Sequence, residues 1–126
     1  MKKGIIVNVS FLLRKPKFPI ICNIDGYVIA ARSKSGFEKQ LSAYDNFNDS
    51  PYPLIDVTGE GWSFHPKYMA ISPLTMKKKW FKKEMIAIFN NRKNNTSNLT
   101  YSEKSISAKR FDKIFQDIVG LLLKNF

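Results

Sequence analysis

The sequence predicts an α+β domain, in which a small, mostly antiparallel sheet of about five strands is packed by three helices. Short apolar runs rich in β-branched residues alternate with tight-turn sequences, which is typical of antiparallel strands. Three other segments carry apolar residues at the spacing of an amphipathic helix. The chain has 126 residues, of which 44% are hydrophobic. This size suits one domain over residues 1–126.

The first three predicted strands lie near the N-terminus. The alternation of β-branched residues over Gly4–Leu13 predicts a strand, and a loop with two prolines follows it. The apolar runs Ile20–Ile24 and Tyr27–Ala31 flank the dipeptide Asp25-Gly26. An Asp-Gly pair favours a type I′ turn, because both central residues of that turn need a positive φ. We therefore predict a β-hairpin here.

A short helix is predicted over residues 33–44. Ser35 is the expected N-cap, and Glu38 three residues later completes a capping-box pattern. The apolar stripe of this helix consists of Phe37, Leu41 and Tyr44. A loop rich in Asn, Asp, Ser and Pro follows over residues 45–53.

A second hairpin is predicted in the middle of the chain. It joins a strand at residues 54–57 to another at residues 62–64 through the turn Thr58-Gly59-Glu60-Gly61. Residues 68–71 are expected to add one more strand. Several short strands with two tight hairpins also suit a sheet that curls toward an SH3-like open barrel.

The last helix has the clearest apolar stripe in the chain. Its expected N-cap is Ser107, although Thr100-Tyr101-Ser102-Glu103 offers an earlier capping box. Its stripe consists of Phe111, Ile114, Phe115, Ile118 and Leu122. The apolar surface then widens through Val119, Leu121, Leu123 and Phe126. So broad a surface favours either deep core packing or a homodimer seam.

Charge is high and uneven along the chain. The net charge is +11, with +6 over residues 1–34, −3 over residues 35–76 and +8 over residues 77–126. Two basic segments thus flank an acidic one, which favours a basic face opposite an acidic face. A surface of this kind suits an anionic partner.

The densest charge precedes and begins the second predicted helix, within residues 72–91. Taking Phe81 as reference, Met85, Ile88 and Phe89 fall on the same side of a helical wheel, so this side should face the core. Extending the helix backwards would place lysines on that apolar stripe. We therefore expect the helix to begin near Lys79 or Trp80 and to end at the C-cap pair Asn90 and Asn91.

These lysines make the best candidate for a binding site. Clustered cations attract phosphate through Coulomb forces and counterion release, and an aromatic residue among them can stack on a base. The predicted nucleic-acid-binding residues are Lys77, Lys78, Lys79, Trp80, Lys82, Lys83, Arg92 and Lys93. The competing interpretation is a solvated lysine face with Trp80 at the edge of the core.

Catalytic and metal-binding residues are scarce. A transition-metal site needs several close ligands, but the chain has one histidine, His65, and one cysteine, Cys22. We expect no metal, no cofactor and no catalytic residue. Turn chemistry explains Asp56 and Glu60 as well as an acid pair would. The aromatic cluster around Trp62 predicts alternating core residues or, as a second possibility, a stacking platform.

The number of cysteines and the hydropathy of the chain predict its cellular compartment. One cysteine allows no internal disulfide, which fits a reducing, cytoplasmic location, and Cys22 in its apolar run should be buried and inert. No apolar stretch approaches the ~20 residues of a membrane helix. We therefore expect no membrane partner.

Three functional hypotheses remain. The first is a non-enzymatic nucleic-acid-binding protein, without a preference for DNA or RNA, that contacts phosphates through the lysine-rich start of the second helix. The second is a protein-interaction module, such as an inhibitor or immunity-type protein of a mobile element, whose basic face meets an acidic protein. The third is a small ribonuclease that uses Lys or Arg, His65 and a carboxylate.

Overall fold

A computed structural model describes residues 7–43, 47–48, 50–94, 100–101 and 109–124. The described residues form six strands and three helices, which confirms the α+β prediction. The elements are β1 (Ser10–Phe11), β2 (Ile20–Ile24), β3 (Tyr27–Ala31), α1 (Lys34–Ser42), β4 (Tyr52–Asp56), β5 (Gly61–His65), β6 (Ala70–Pro73), α2 (Lys82–Asn90) and α3 (Phe111–Lys124).

The strands form one mixed sheet in the order β1-β6-β5-β4-β2-β3. β1 pairs with β6 in parallel, and the other neighbours are antiparallel. Within the described residues the sheet thus has six strands, mostly antiparallel, which agrees roughly with the prediction of about five. It is not closed, and β1 and β3 lie at its two ends. The SH3-like open barrel stays a prediction.

Helices cover both faces of the sheet. Phe37 and Leu41 of α1 pack with Ile20 and Cys22 on one face. On the other face, apolar residues of α2 and α3 pack with Ile21 and with Ile55 of β4. A strand buried on both faces needs apolar residues at successive positions, which explains the apolar run Ile20-Ile21-Cys22 in β2. The first three leucines after Gly120 are half-buried beside the second face, and the homodimer seam stays a prediction.

The β2–β3 hairpin has the predicted bounds and turn. Asp25 and Gly26 both have positive φ, 53° and 94°. The outer backbone of β3 is also bonded, because the Asn94 side chain accepts from the Val28 N–H at 3.1 Å and donates to the Val28 carbonyl at 2.9 Å.

The predicted N-terminal strand is much shorter than expected. Of Gly4–Leu13, residues 4–6 lie outside the described residues, and pairing to β6 involves Ser10 and Phe11. The Val9 N–H donates to Glu38 Oε2 at 2.7 Å instead of joining a ladder. Leu13 then turns the chain with φ 66°.

The bounds of the other three strands differ from the predicted bounds by one or two residues. β4 begins at Tyr52 and ends at Asp56, rather than covering residues 54–57. β6 covers Ala70–Pro73 rather than residues 68–71, because residues 66–69 form a turn that ends at Met69, φ 47°.

The start of α1 also differs from the prediction. The N-cap of α1 is Ser33 instead of Ser35, and its Oγ accepts from the Gly36 N–H at 3.1 Å. Glu38 is thus not a capping-box partner and instead binds Lys34 Nζ at 2.7 Å. The predicted N-cap of the last helix, Ser107, lies outside the described residues, as does Phe126.

The second helix begins at Lys82, later than predicted. Phe81 is its N-cap and is 67% exposed, so the helical wheel was wrong to place it against the core. Met85 and Phe89 are buried as expected. The C-cap is Asn91, but its φ of −98° is not left-handed.

Candidate functional site

A polar cleft lies at one end of the sheet, where three distant chain segments meet. The loop after β1 crosses this end, the β4–β5 turn forms it, and the segment after β6 returns to it. The cleft has a volume of about 400 Å³. Its lining residues are Arg14, Lys15, Lys17, Asp56, Thr58, Glu60, Trp62, Lys77 and Lys79. We call it the cationic cleft, because five of these residues are basic and two are acidic.

Asp56 organises the floor of the cationic cleft. It is 1% exposed, and a buried carboxylate must be hydrogen-bonded. Its Oδ1 accepts from the Thr58 N–H at 2.9 Å, the Thr58 hydroxyl at 2.5 Å and the Glu60 N–H at 3.2 Å. Its Oδ2 accepts from Trp62 Nε1 at 3.0 Å and the Lys17 N–H at 3.3 Å. One carboxylate thus holds the β4–β5 turn, a core tryptophan and the crossing loop together.

Glu60 pairs with Arg14 across the cleft. Arg14 Nη2 lies 2.6 Å from Glu60 Oε2, and Nη1 lies 3.4 Å from Oε1. The hydrogen bond from Arg14 lowers the pKa of Glu60, and the charges of Lys77 and Lys79 lower it further. The Arg14 guanidinium also lies 4.8 Å from the centroid of the Trp62 ring.

This pairing limits what Glu60 can do chemically. A carboxylate with a lowered pKa stays ionised at neutral pH and is a weak general base. Within the described residues, the other four cations of the cleft form no ion pair: Lys15, Lys17, Lys77 and Lys79. The cleft therefore has the chemistry of an anion-binding site rather than of an acid–base centre.

Residues 77–81, which we call the lysine segment, are extended beside the β4–β5 turn. The Gly61 N–H donates to the Lys78 carbonyl at 2.8 Å, and the Trp80 N–H donates to the Gly59 carbonyl at 2.7 Å. This pairing explains the late start of α2. Exposure alternates, because side chains of an extended chain point to opposite sides in turn. The exposed residues are Lys77, Lys79 and Phe81, and Lys78 and Trp80 are half-buried.

Trp80 fixes the lysine segment to the sheet. Its ring packs against the core that α2 and α3 share, and Lys78 Nζ lies 4.5 Å from its centroid. Gly61 leaves the space that the indole occupies, since a Cβ there would lie 2.9 Å from Trp80 Nε1. Trp80 as a base-stacking residue stays a prediction.

Arg92 and Lys93 were also predicted for the site. They follow the C-terminal end of α2, whose nine residues span about 14 Å from the end of the lysine segment. Arg92 is 8% exposed, lies 3.9 Å from the Phe89 ring and donates to the Phe89 carbonyl at 2.7 Å. Burial lowers its pKa. The Lys93 N–H donates to the Gly26 carbonyl at 2.7 Å. The structure does not bring these two residues to the cationic cleft.

Lys82 and Lys83 lie in the first turn of α2, next to the lysine segment; Lys83 is exposed and Lys82 half-buried.

Sequence reasoning missed Arg14, Lys15 and Lys17 as site residues. The basic N-terminal third was a signal for them, but their meeting with Lys77 and Lys79 depends on the parallel β1–β6 pair.

His65 lies at the opposite end of β5, roughly 17 Å from Glu60 at ~3.3 Å per residue. Its Nε2 is 2.8 Å from Ser72 Oγ. It lines an apolar pocket of about 450 Å³ together with Ser10, Leu12, Tyr68 and Ala70. His65 is therefore far from the carboxylates of the cleft, whereas a ribonuclease that used His65 with one of them would need the two groups close together.

Cys22 and two members of the predicted aromatic cluster lie in the interior. Cys22 is buried, and burial raises the pKa of its thiol. Trp62 and Phe64 are core residues, at 2% and 0% exposure. Among the described residues, no three His, Cys, Asp or Glu side chains are grouped as a metal ion requires.

The fold and the cleft define a small basic α+β protein with a cationic cleft at one end of its sheet. Comparisons with protein-family models, curated proteins and solved structures found no match to the chain. Within the described ranges, no helix combines the length and apolar character that crossing a membrane requires.

Proposed function

We propose that this protein binds nucleic acid without catalysis and holds phosphates in the cationic cleft. The observation that carries the proposal is that cations from residues 14–17 and from residues 77–79 line one cleft. Cations gathered in a concave surface strengthen the local potential more than the same charges scattered over a sphere. Lys78, Lys82 and Lys83 extend the basic surface along the chain.

The pairing of charges inside the cleft supports this proposal. Arg14 already binds a carboxylate with two nitrogens, which is the geometry that also suits a phosphate. A phosphate can replace Glu60 as its partner, while the lysines add charge attraction. Arg92 contributes to the fold of α2, and Lys93 adds positive potential from a distance.

The test measures binding of a fluorescent oligo(dT) by anisotropy at several salt concentrations. Affinity should fall steeply with salt, because bound phosphates release counterions. In the Lys77→Gln/Lys79→Gln variant the salt slope should decrease by about 1.4, at ~0.7 for each lost phosphate contact with a single strand.

The matched control removes the same charge elsewhere. Lys39 in α1 and Lys67 in the β5–β6 turn are exposed, and Lys39→Gln/Lys67→Gln should keep the salt slope. An absence of binding at ~50 mM salt, or an equal loss in both variants, would contradict a role for the cleft.

A protein-interaction module is the second candidate, because exposed apolar side chains adjoin the cleft residues in sequence. Leu13 next to Arg14 is 94% exposed, and Met76 next to Lys77 is 82% exposed. Apolar anchors beside cations suit an acidic protein surface. In this case a defined acidic protein should copurify in equal amount after nuclease treatment, and its binding should be lost in Leu13→Ser/Met76→Ser.

A further inference from the structure

Phe81 departs from what local stability favours. It is the N-cap of α2, with extended φ and ψ of −99° and 157°, and its side chain makes no cap hydrogen bond, although Glu84 Oε1 accepts from its backbone N–H at 2.9 Å. Ser, Thr, Asp or Asn at this position would satisfy a free N–H of the helix. Its ring is also 67% exposed. A residue that gives up a cap and exposes a large apolar ring suits a function other than folding.

The lysine segment places Phe81 next to the cationic cleft. Lys79 lines the cleft, and residues two apart in an extended chain share a side, about 7 Å apart. Lys79 and Phe81 are both exposed, whereas Trp80 between them packs on the core. The exposed ring therefore lies on the cleft side of the segment.

We propose that the nucleic acid bound here is single-stranded, with phosphates in the cationic cleft and an unpaired base stacked on Phe81. This inference rests on the proposed function. A flat exposed ring can stack on a base that is free of its pair, whereas the bases of a duplex already stack on each other. Phe81 takes the role that the sequence suggested for Trp80.

Tyr68 provides a matched comparison on the same molecule. It is 71% exposed, and Lys67 Nζ lies 5.8 Å from its ring centroid. Its surroundings are the apolar pocket at the other end of β5 rather than the cationic cleft. Tyr68 therefore tests whether an exposed aromatic ring beside a lysine is enough for binding when it lies away from the cationic cleft.

The experiment compares three variants, Phe81→Ser, Phe81→Trp and Tyr68→Ser, with the native chain. The affinity for oligo(dT) should fall between about fivefold and a hundredfold in Phe81→Ser, the range of one lost base–aromatic stack. Phe81→Trp should retain affinity, and Tyr68→Ser should not change it. The urea midpoint of Phe81→Ser should be unchanged or raised, because serine restores the cap.

A duplex of equal length separates the inference from the proposed function. Duplex binding should be weaker than oligo(dT) binding and unaffected by Phe81→Ser. If both ligands bind through Lys77 and Lys79 but Phe81→Ser weakens neither, the cleft function stands and the stacking inference is wrong. If neither nucleic acid binds the native chain, both proposals fail.

Discussion

The two ends of the β5–β6 pair carry cavities of similar volume and opposite chemistry. The cationic cleft measures about 400 Å³ and the apolar pocket about 450 Å³. The first is lined by five basic residues, whereas the second contains Leu12, Tyr68 and Ala70. A net charge of +11 is thus not spread evenly over both ends. The positive charge is concentrated at one end of the sheet because the chain topology brings residues 14–17 next to residues 77–79.

The largest effect should come from Asp56, which holds the cationic end together. Asp56→Ala should lower the free energy of unfolding by about 3 kcal/mol or more, because buried donors, including Trp62 Nε1, lose their acceptor. Urea denaturation measures this change. At the apolar end, Ser72→Ala should cost about 1 kcal/mol or less. Equal costs at the two ends would contradict the special role of Asp56.

Glu60 should oppose the cations around it when an anion binds. Glu60→Gln removes the carboxylate that occupies Arg14, and should tighten oligo(dT) binding about fivefold, or ~1 kcal/mol for one nearby charge in water. Anisotropy at constant salt measures this gain. The double variant Arg14→Gln/Glu60→Gln is the control and should lose it. Weaker binding by Glu60→Gln would mean that Glu60 contacts the ligand or positions Arg14 for it.

The Arg14–Glu60 pair also predicts a pH dependence of stability. Because the pKa of folded Glu60 lies below its unfolded value of 4.5, its contribution is fully present above about pH 4.5 and is lost as the pH falls through the folded pKa. The difference in unfolding free energy between the native chain and Glu60→Gln should therefore shrink below pH 4.5. Denaturation at pH 3 to 7 measures it, and a difference that grows on acidification would contradict the pairing.

The smallest effect should follow from adding charge at the apolar end. Tyr68→Lys raises the net charge, yet it should change oligo(dT) affinity less than about twofold at 0.1 M salt, because the Debye length of ~10 Å is shorter than the distance to the cleft. The same anisotropy assay measures it. A gain in affinity as large as the loss in Lys77→Gln/Lys79→Gln would mean that total charge, rather than the cleft, governs binding.

The local signal of the first hairpin predicted its structure well. Asp25-Gly26 specified its hairpin through φ requirements that the two residues meet by themselves. The β1–β6 pairing was not predictable, since it joins residues 60 apart and includes two pairs, Ser10 with Ala70 and Phe11 with Ile71. The position of Arg14 in the cleft depends on that pairing, so the sequence indicated a basic N-terminal third without locating it.

The start of α2 shows how tertiary contacts override a helical pattern. Phe81 fits the apolar stripe of Met85 and Phe89 on a helical wheel, which predicted that it faces the core. The hydrogen bonds of Gly59 and Gly61 to residues 78 and 80 keep the chain extended up to Phe81. The sequence shows that the lysines are clustered, but only the fold shows which of them line the cleft, which lie in α2 and which lie beside the core.

Gly61 lies where the lysine segment contacts the β4–β5 turn. Because a Cβ at Gly61 would lie 2.9 Å from Trp80 Nε1, the indole or the turn beside it would have to shift if any larger residue stood there. Such a shift would move the lysine segment, and with it Lys77 and Lys79, relative to Arg14 and Lys17 across the cleft. The relative position of these cations therefore depends on the absence of a side chain at an uncharged residue.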